Sequence, residues 1–561
     1  MNKQSIAANL RQIADLLEIS GENHYKVTAY RNAAAALLQS SFRLEDIISR
    51  SVSVPGIGPD SLNLIRWCME GGLKSAMAHL KISVPATAHQ LLWVPGIGPK
   101  TAMVLIHNHH VDSLAALQAA LSSNRLLHKP GFSAAKIHRM KRDVAVLLER
   151  MHSYPIAQVW PAALELQRSL EALSGVDQVG VTGDARRLVP MCKRLEMVVS
   201  VHDRTPFQTW CEANHATPKD DGYEWNIGPS DNPLTVRVYV ADPPDFAQRQ
   251  METTGDQIHD EVIKGLLRQA GYSWTKAGIC DMRGRRISPA TEEEIYALVG
   301  LPFFPPELRS DRGLLQNPAT LVQADDIQGD LHVHSNWSDG SMSIPELVER
   351  AETLGYAYIA ITDHSQSLSI ANGLTPERVL AQRAELKRVQ SAASVKLLHG
   401  IEVDILADGS LDLPDDILAD LDIVIASVHG AMYQSKSQMT NRLVRAIRNP
   451  YVDVIGHPTG RIIGRRAGYE VDIEKVVAEA ALHGVALELN ANPNRLDISE
   501  DILRRATQAG VAIAIDTDTH HPNEFANMAY GIRMAHRGWL TKGDVLNTLS
   551  HTGLMKRLKG Q

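Results

Sequence analysis

Between residues 331 and 521, apolar runs alternate with amphipathic stretches, and each run stops at a histidine or an acid. The runs read LHVH leading to Asp339, then YAYIAITDH, VKLLHGIEVDI, LDIVIASVH, VDVIGH and VAIAIDTDTH, with segments such as SIPELVERAETLG and DIEKVVAEAALHG between them. Strand followed by helix, repeated, predicts a parallel barrel whose functional groups collect at the carboxyl ends of its strands. Every terminal histidine or acid falls at that end.

A chain of 561 residues exceeds what one hydrophobic core supports, and ordinary domain sizes predict roughly three to five units. No stretch of about 18 apolar residues occurs, and MNKQSIAANLRQIADLL opens as an amphipathic helix. A soluble, cytoplasmic protein with no membrane partner is therefore expected. Cys68, Cys192, Cys211 and Cys280 are too scattered for a paired metal site, so any metal must be held by histidine and carboxylate. A net charge of −7 argues against a basic coat but leaves room for local basic faces.

Ile6, Leu10, Ile13 and Leu17 sit at helical spacing, and a second, Ala-rich helix is expected within GENHYKVTAYRNAAAALLQS. Two segments then repeat one another, VPGIGPDSLNLI at 54–65 and VPGIGPKTAMVL at 94–105, with a degenerate third copy, KPGFSAAKIHRM, at 129–140. In such a segment proline fixes the approach, the glycines allow positive φ, and free amides at the next helix start can hold a phosphate without reading a base. One copy alone would suit a plain turn between helices; repetition argues for a module. These segments, together with GENHYKVTAYRNAA, resemble the helix–hairpin–helix DNA-binding motifs of family X DNA polymerases. The resemblance implies DNA contacts at Gly56, Gly58, Gly96, Gly98, Lys100 and Gly131. Lys129, Lys136, Arg139, Lys141 and Arg142 would track a strand or line a solvated helix face. The His107–His110 run has no acid at ligand spacing and reads as surface.

Resemblance to the same family continues through the middle of the chain. Its palm carries Gly-Ser with a basic pair, two aspartates one residue apart on a strand, and a third aspartate on a neighbouring strand. Here TGDARR at 182–187 puts Asp184 in place of the phosphate-binding serine, and CKRLEMVVS at 192–200 puts Arg194 and Glu196 at the aspartate pair. PLTVRVYV at 233–240 puts Arg237, or Thr235 with a one-residue gap, at the third position. Two-metal nucleotidyl transfer needs several carboxylates around its cations. One glutamate does not supply them, so a degenerate polymerase site on a retained palm and thumb is expected. Thr254, Gly255 and TEEEIYALVGLPFFPPELR at 291–309 match later landmarks of the family.

In GDLHVHSNWSDG, His332 and His334 stand two apart on a strand and project from one face. Such a pair alone is weak evidence. It gains weight from Asp339, His364 in TDHS, Glu402 in GIEVDI, His429 in ASVHG, His457 in GHPTGR, and Asp518 and His520 in DTDTHH. Imidazole suits zinc, iron or manganese, whereas carboxylates favour harder ions and can bridge two of them. Nine groups exceed the needs of one catalytic ion, so two or three divalent ions (Mn2+, Zn2+ or Fe2+) are expected. Three such ions against three carboxylates leave a charge of about +3, which suits an anion such as a phosphate ester.

Residues 328–561 resemble a PHP phosphoesterase domain. That resemblance implies a distorted, seven-stranded, TIM-like α/β barrel with these nine side chains as ligands and Glu402, Asp339 and Arg461 in catalytic roles. Glu402, central in the order, is the expected bridging carboxylate. Arg461, four residues beyond His457, would clamp a non-bridging oxygen, with Arg465 and Arg466 beside it. Asp363 is expected to orient His364, and Asp404 to support the site without ligating. Asp516, His521, His399 and His483 are left outside it.

The expected organisation is multidomain: an all-α helix–hairpin–helix region at 1–80 and 81–152, an α+β polymerase-β-like palm at 153–240 and thumb at 241–315, a linker at 316–327, and the PHP barrel at 328–561. The expected function is a DNA-binding 3′–5′ exonuclease of DNA repair, with 3′-phosphatase or abasic-site cleavage as variants. Its substrate would be gapped, nicked or primer-end duplex or single-stranded DNA, met by a nucleoid-associated monomer. Two alternatives stand beside it. One is a gap-filling polymerase with PHP proofreading; the other is a small-molecule phosphatase of the histidinol-phosphatase type, which would leave the amino-terminal half of the chain without a purpose.

Overall fold

The structure is a computed structural model that describes residues 3–558 except positions 41, 43, 50, 152, 229–232, 276–277 and 310–317. The end of the expected thumb and the start of the expected linker, residues 310–317, therefore lie outside the described residues.

Helix α1 (Lys3–Ile19) turns its Ile6, Leu10, Ile13 and Leu17 stripe into a core shared with α2 (His24–Gln39) and α3 (Pro59–His79). Asn23 caps α2 by accepting the Tyr25 amide at 2.9 Å. A second core forms between α4 (Pro99–His109) and α5 (Ala134–Arg150), around Leu105, Leu117 and Val144. Each hairpin turns through a left-handed glycine, with φ of +90° at Gly56, +82° at Gly96 and +83° at Gly131. Gly58 and Gly98 then cap helices whose first residue is proline, whose missing amide donor costs nothing there.

The palm is a mixed sheet ordered β1-β2-β5-β4-β3, formed by β1 (Val176–Thr182), β2 (Leu195–Val201), β3 (Thr217–Lys219), β4 (Gly222–Ile227) and β5 (Leu234–Ala241). Strands β2 and β5 run parallel, with Glu196 opposite Arg237. A buried ion cluster ties this palm to the thumb. Glu292 accepts from Arg186 at 2.7 and 2.8 Å and from Arg309 at 2.8 and 2.6 Å.

Seven parallel strands follow in chain order: β6 (Gly329–Val333), β7 (Tyr358–Ile361), β8 (Lys396–Asp404), β9 (Ile423–Ser427), β10 (Val454–Ile455), β11 (Ala486–Asn490) and β12 (Ile513–Asp516). A parallel bridge from Val333 to Thr519 nearly closes the barrel. Strands covered on both faces read as unbroken apolar runs, which is why six of them stood out in the sequence. The seventh, β11, did not, because ALELN ends in asparagine rather than in a histidine or an acid. One apolar cluster runs from Ile156 and Val236 of the palm to Ile401 and Ile455 of the barrel, so the two pack as continuous structure.

Candidate metal centre

All nine expected ligands converge at the carboxyl end of the barrel. Glu402, on β8, is the hub: His332, His334, His364, His429 and His457 each place a ring nitrogen between 2.7 and 3.7 Å from its carboxylate. His334 Nε2 lies 3.2 Å from Asp518 Oδ1, and His520 Nε2 lies 3.3 Å from Asp339 Oδ1. Three overlapping groups result: His334, Asp339, His364 and His520; His332, His334 and Asp518; His364, Glu402 and His429. Among the described residues no other such group forms. The floor is closed to solvent, with His332 and His334 fully buried, whereas the Asp339 side chain is 36% exposed at the mouth.

The charges of this cluster make sense only as parts of one site. Burial opposes protonation of His429 and His520, yet Glu402 and Asp404 raise the first to about 10, and Asp339 and Asp518 raise the second to about 9. Burial and the neighbouring His520 and His364 rings instead push His334 down to about 3. Burial works against ionised Glu402 and Asp518, but the surrounding imidazoles hold both carboxyls well below the usual range. Both nitrogens of His334, Nε2 of His332, Nδ1 of His364 and Oε2 of Glu402 are buried and make no hydrogen bond to the protein. Orphaned polar atoms facing one another in a buried pocket are what a divalent ion would satisfy, so the residues present fit the expected metals.

Outer partners aim several of these rings. His332 Nδ1 lies 2.6 Å from Glu488 Oε1, His429 Nδ1 lies 3.0 Å from Asp404, and His520 Nδ1 lies 2.8 Å from the Asp518 carbonyl, turning each Nε2 inward. The reading of Asp404 as a support fits this geometry. Glu488 went unnoticed in the sequence because it sits on β11, the strand that was not counted; its second oxygen takes the His457 amide at 2.5 Å. Asn490, two residues on, donates to Asp518 at 3.0 Å.

Two expectations are corrected. Asp363 does not orient His364; it accepts from Ser335, Ser338 and Gln382 and so braces the loop that carries Asp339. Arg461 is turned away from the centre, its guanidinium donating to the backbone carbonyls of Arg495 (2.9 Å) and Leu496, because the chain after His457 bends through left-handed Gly460. The cation beside the site is Arg495, whose Nε lies 3.9 Å from Asp518.

In the palm, the three expected polymerase positions face one another, but as an ion-paired patch. Arg194 and Tyr239 donate to Glu196 Oε1 at 2.8 and 2.9 Å. Arg237 pairs with Asp221 and lies over the Tyr239 ring. Asp184 accepts from Arg187 at 2.6 Å and from the Lys193 amide at 3.2 Å. At the hairpins, a Cβ at Gly58, Gly98 or Gly131 would meet nothing within 4 Å, so these backbones face open space. Lys100 is exposed beside the second hairpin, where the first carries Asp60.

Fold and site together define a PHP-domain protein whose barrel follows a polymerase-type palm and thumb and tandem hairpin–helix modules. Family descriptions match accordingly: helix-hairpin-helix domain over 1–72, SAM-like helix-hairpin-helix tandem over 89–144, DNA polymerase beta thumb over 250–310 and PHP domain over 330–492. The DNA polymerase/3′-5′ exonuclease PolX of Bacillus subtilis (strain 168) is 33% identical over 559 residues, 98% of this chain and 98% of that protein. The chain belongs to this family, the bacterial family X DNA polymerases with a carboxy-terminal PHP domain. A probable phosphatase of Thermoanaerobacter sp. (strain X514) is 33% identical over 39% of this chain and 89% of its own length, and one of Caldanaerobacter subterraneus is 31% identical over 39% and 86%.

Proposed function

We propose that this chain is a DNA-binding, metal-dependent phosphoesterase that removes nucleotides from 3′ ends during DNA repair, and that its palm has lost nucleotidyl transfer. One observation supports this above the rest: nine ligand groups converge in the barrel, whereas Arg194, Glu196 and Arg237 in the palm are already paired with protein groups. Two or three divalent ions would be held by His332, His334, Asp339, His364, Glu402, His429, His457, Asp518 and His520, with manganese first and zinc or iron next. When bound, such ions lower the pKa of water and neutralise phosphoryl oxygens. The protein's own part is to hold Glu402 at the centre, to leave Asp339 and His520 at the mouth where substrate arrives, and to offer Arg495 to a phosphate oxygen. Backbone amides at the hairpins and Lys100 hold the DNA. The setting is the cytoplasm at the nucleoid, with the protein acting as a monomer.

Elemental analysis of the purified protein, combined with digestion of a 5′-labelled duplex by wild type and Asp339→Ala, tests the reading. Two or more bound metals per chain and shortening from the 3′ end, both reduced in the variant, are expected. Primer extension that is abolished by Glu196→Ala and spared by His334→Ala would favour a working polymerase instead. The probable phosphatases match only the barrel; hydrolysis of small phosphomonoesters with DNA left intact would favour a reading like theirs.

A further inference from the structure

Four polar side chains on one face of α5 reach the barrel. His138 and Arg142, one turn apart, meet a single loop: His138 Nε2 lies 2.6 Å from Glu470 Oε1, and Arg142 donates to the Gly468 carbonyl at 3.2 Å. Arg139 and Asp143 form the adjoining row. Asp143, 2% exposed, lines the same crevice as Ala467, and the Arg139 guanidinium stacks 3.9 Å from the centre of the Tyr433 ring. That guanidinium also lies against the second hairpin, since a Cβ at Gly96 would come within 2.7 Å of Arg139 Nη2. Tyr433 stands on the loop after His429, and residues 467–470 on the loop after His457. The hairpin and two ligand-bearing loops are thus joined through one layer of side chains.

We propose that α5 is a strut that fixes the spacing between the phosphate grip at Gly96–Lys100 and the metal centre, so that DNA held by one presents its end to the other; Arg139, Tyr433 and Glu470 are its positioning residues. The inference rests on the exonuclease reading. A grip joined to the centre by a loose chain would leave bound DNA sampling many unproductive poses, whereas a rigid joint raises the effective concentration of the end at the site. Most of the basic row that the sequence offers for tracking a strand is already engaged: Lys136 lies over Phe132, Lys141 donates to Asn124 at 3.1 Å, and Arg139 and Arg142 hold the barrel.

The test compares wild type, Tyr433→Ala, Tyr433→Phe and Glu470→Ala in the full-length, metal-loaded protein. Three quantities are read: kcat on a 5′-labelled duplex, Kd for the same duplex in chelator, and the rate on bis(p-nitrophenyl) phosphate, which needs no grip. Tyr433 is 47% exposed, and the Glu470 side chain is 31% exposed, so neither truncation removes core packing. Both alanine variants are expected to lose about five- to tenfold in kcat on DNA, with Kd and the small-ester rate within twofold of wild type and Tyr433→Phe restoring the loss, as a stacked cation requires only a ring face. Glu470 discriminates further: if it merely stood near DNA, removing its negative charge would tighten binding. Unchanged kcat on DNA in both variants would overturn the strut while leaving the exonuclease reading intact. Equal loss on DNA and on the small ester would also overturn it, by placing Tyr433 and Glu470 in service of the metal centre itself. A wild type that cleaves neither substrate would instead remove the reading on which the strut depends.

Discussion

Replacing Glu292 with glutamine removes the charge that joins the palm's Gly-Asp-Ala-Arg-Arg turn to the thumb. Its carboxylate is 4% exposed and Arg309 is fully buried, so solvent screens neither. Burial alone would raise this carboxyl, but hydrogen bonds and charge from Arg309 and Arg186 bring it down to about 2 from an ordinary 4.5. Each pKa unit is worth about 1.4 kcal/mol, so the ionised form contributes on the order of 3 kcal/mol to the folded state. The sign follows from a depressed acid: the contribution is complete above the unfolded value near 4.5 and is lost as pH falls towards about 2. Glu292→Gln should therefore lose about 3–5 kcal/mol at neutral pH, since Arg309 would be left buried without a counter-charge. Urea unfolding followed by the fluorescence of the chain's tryptophans, at intervals between pH 7 and pH 2.5, measures both quantities. The variant's deficit should shrink as the wild type is acidified. A deficit below about 1 kcal/mol at pH 7, or one that stays constant down to pH 2.5, would refute the argument that this pair carries buried charge energy.

Glu488→Gln should weaken metal binding by roughly 10- to 100-fold with little change in global fold, because His332 loses the partner that fixes its inward nitrogen; competition with a chromogenic chelator reads the affinity. Stripping the metals should lower the melting temperature of the barrel, since a ligand at about 100 times its Kd adds about 2.7 kcal/mol to the state that binds it; calorimetry with and without manganese shows whether it does. Lys100→Ala should weaken DNA binding at low salt and reduce the slope of log Kd against log salt by about 0.9, whereas Asp60→Lys should strengthen binding at the first hairpin; fluorescence anisotropy titrations at several salt concentrations test both.

Much of the candidate site was legible because a parallel barrel makes chemistry periodic. A strand buried on both faces announces itself as an apolar run, and its carboxyl end is where polar side chains gather, so run-ending histidines and acids could be collected from the pattern, while the resemblance to PHP domains set which of them belong to the site. Glu488 escaped by the same logic. It lies inside β11, its partner His332 is 156 residues away, and one glutamate among ALELN carries no mark of facing a pocket rather than a helix. Arg461 and Asp363 were misjudged for a different reason. Spacing from a neighbouring ligand says where a Cα lies but not where a loop side chain points: Arg461 found backbone carbonyls, and Asp363 found serine hydroxyls, a glutamine amide and backbone amides, in place of the centre.

The palm and the barrel dispose of their charged side chains differently. In the palm the arginines pair with acids close by: Arg194 with Glu196, and Arg237 with Asp221. Glu196 also touches the turn, since a Cβ at Gly183 would come within 2.2 Å of its Oε2. Those palm charges meet one another directly, whereas the barrel keeps acids and imidazoles facing one another without enough protein donors to satisfy them. Buried, partnerless atoms of His332, His334, His364, Glu402 and His457 face one another at the carboxyl end of the barrel, and metal-dependent chemistry is expected there.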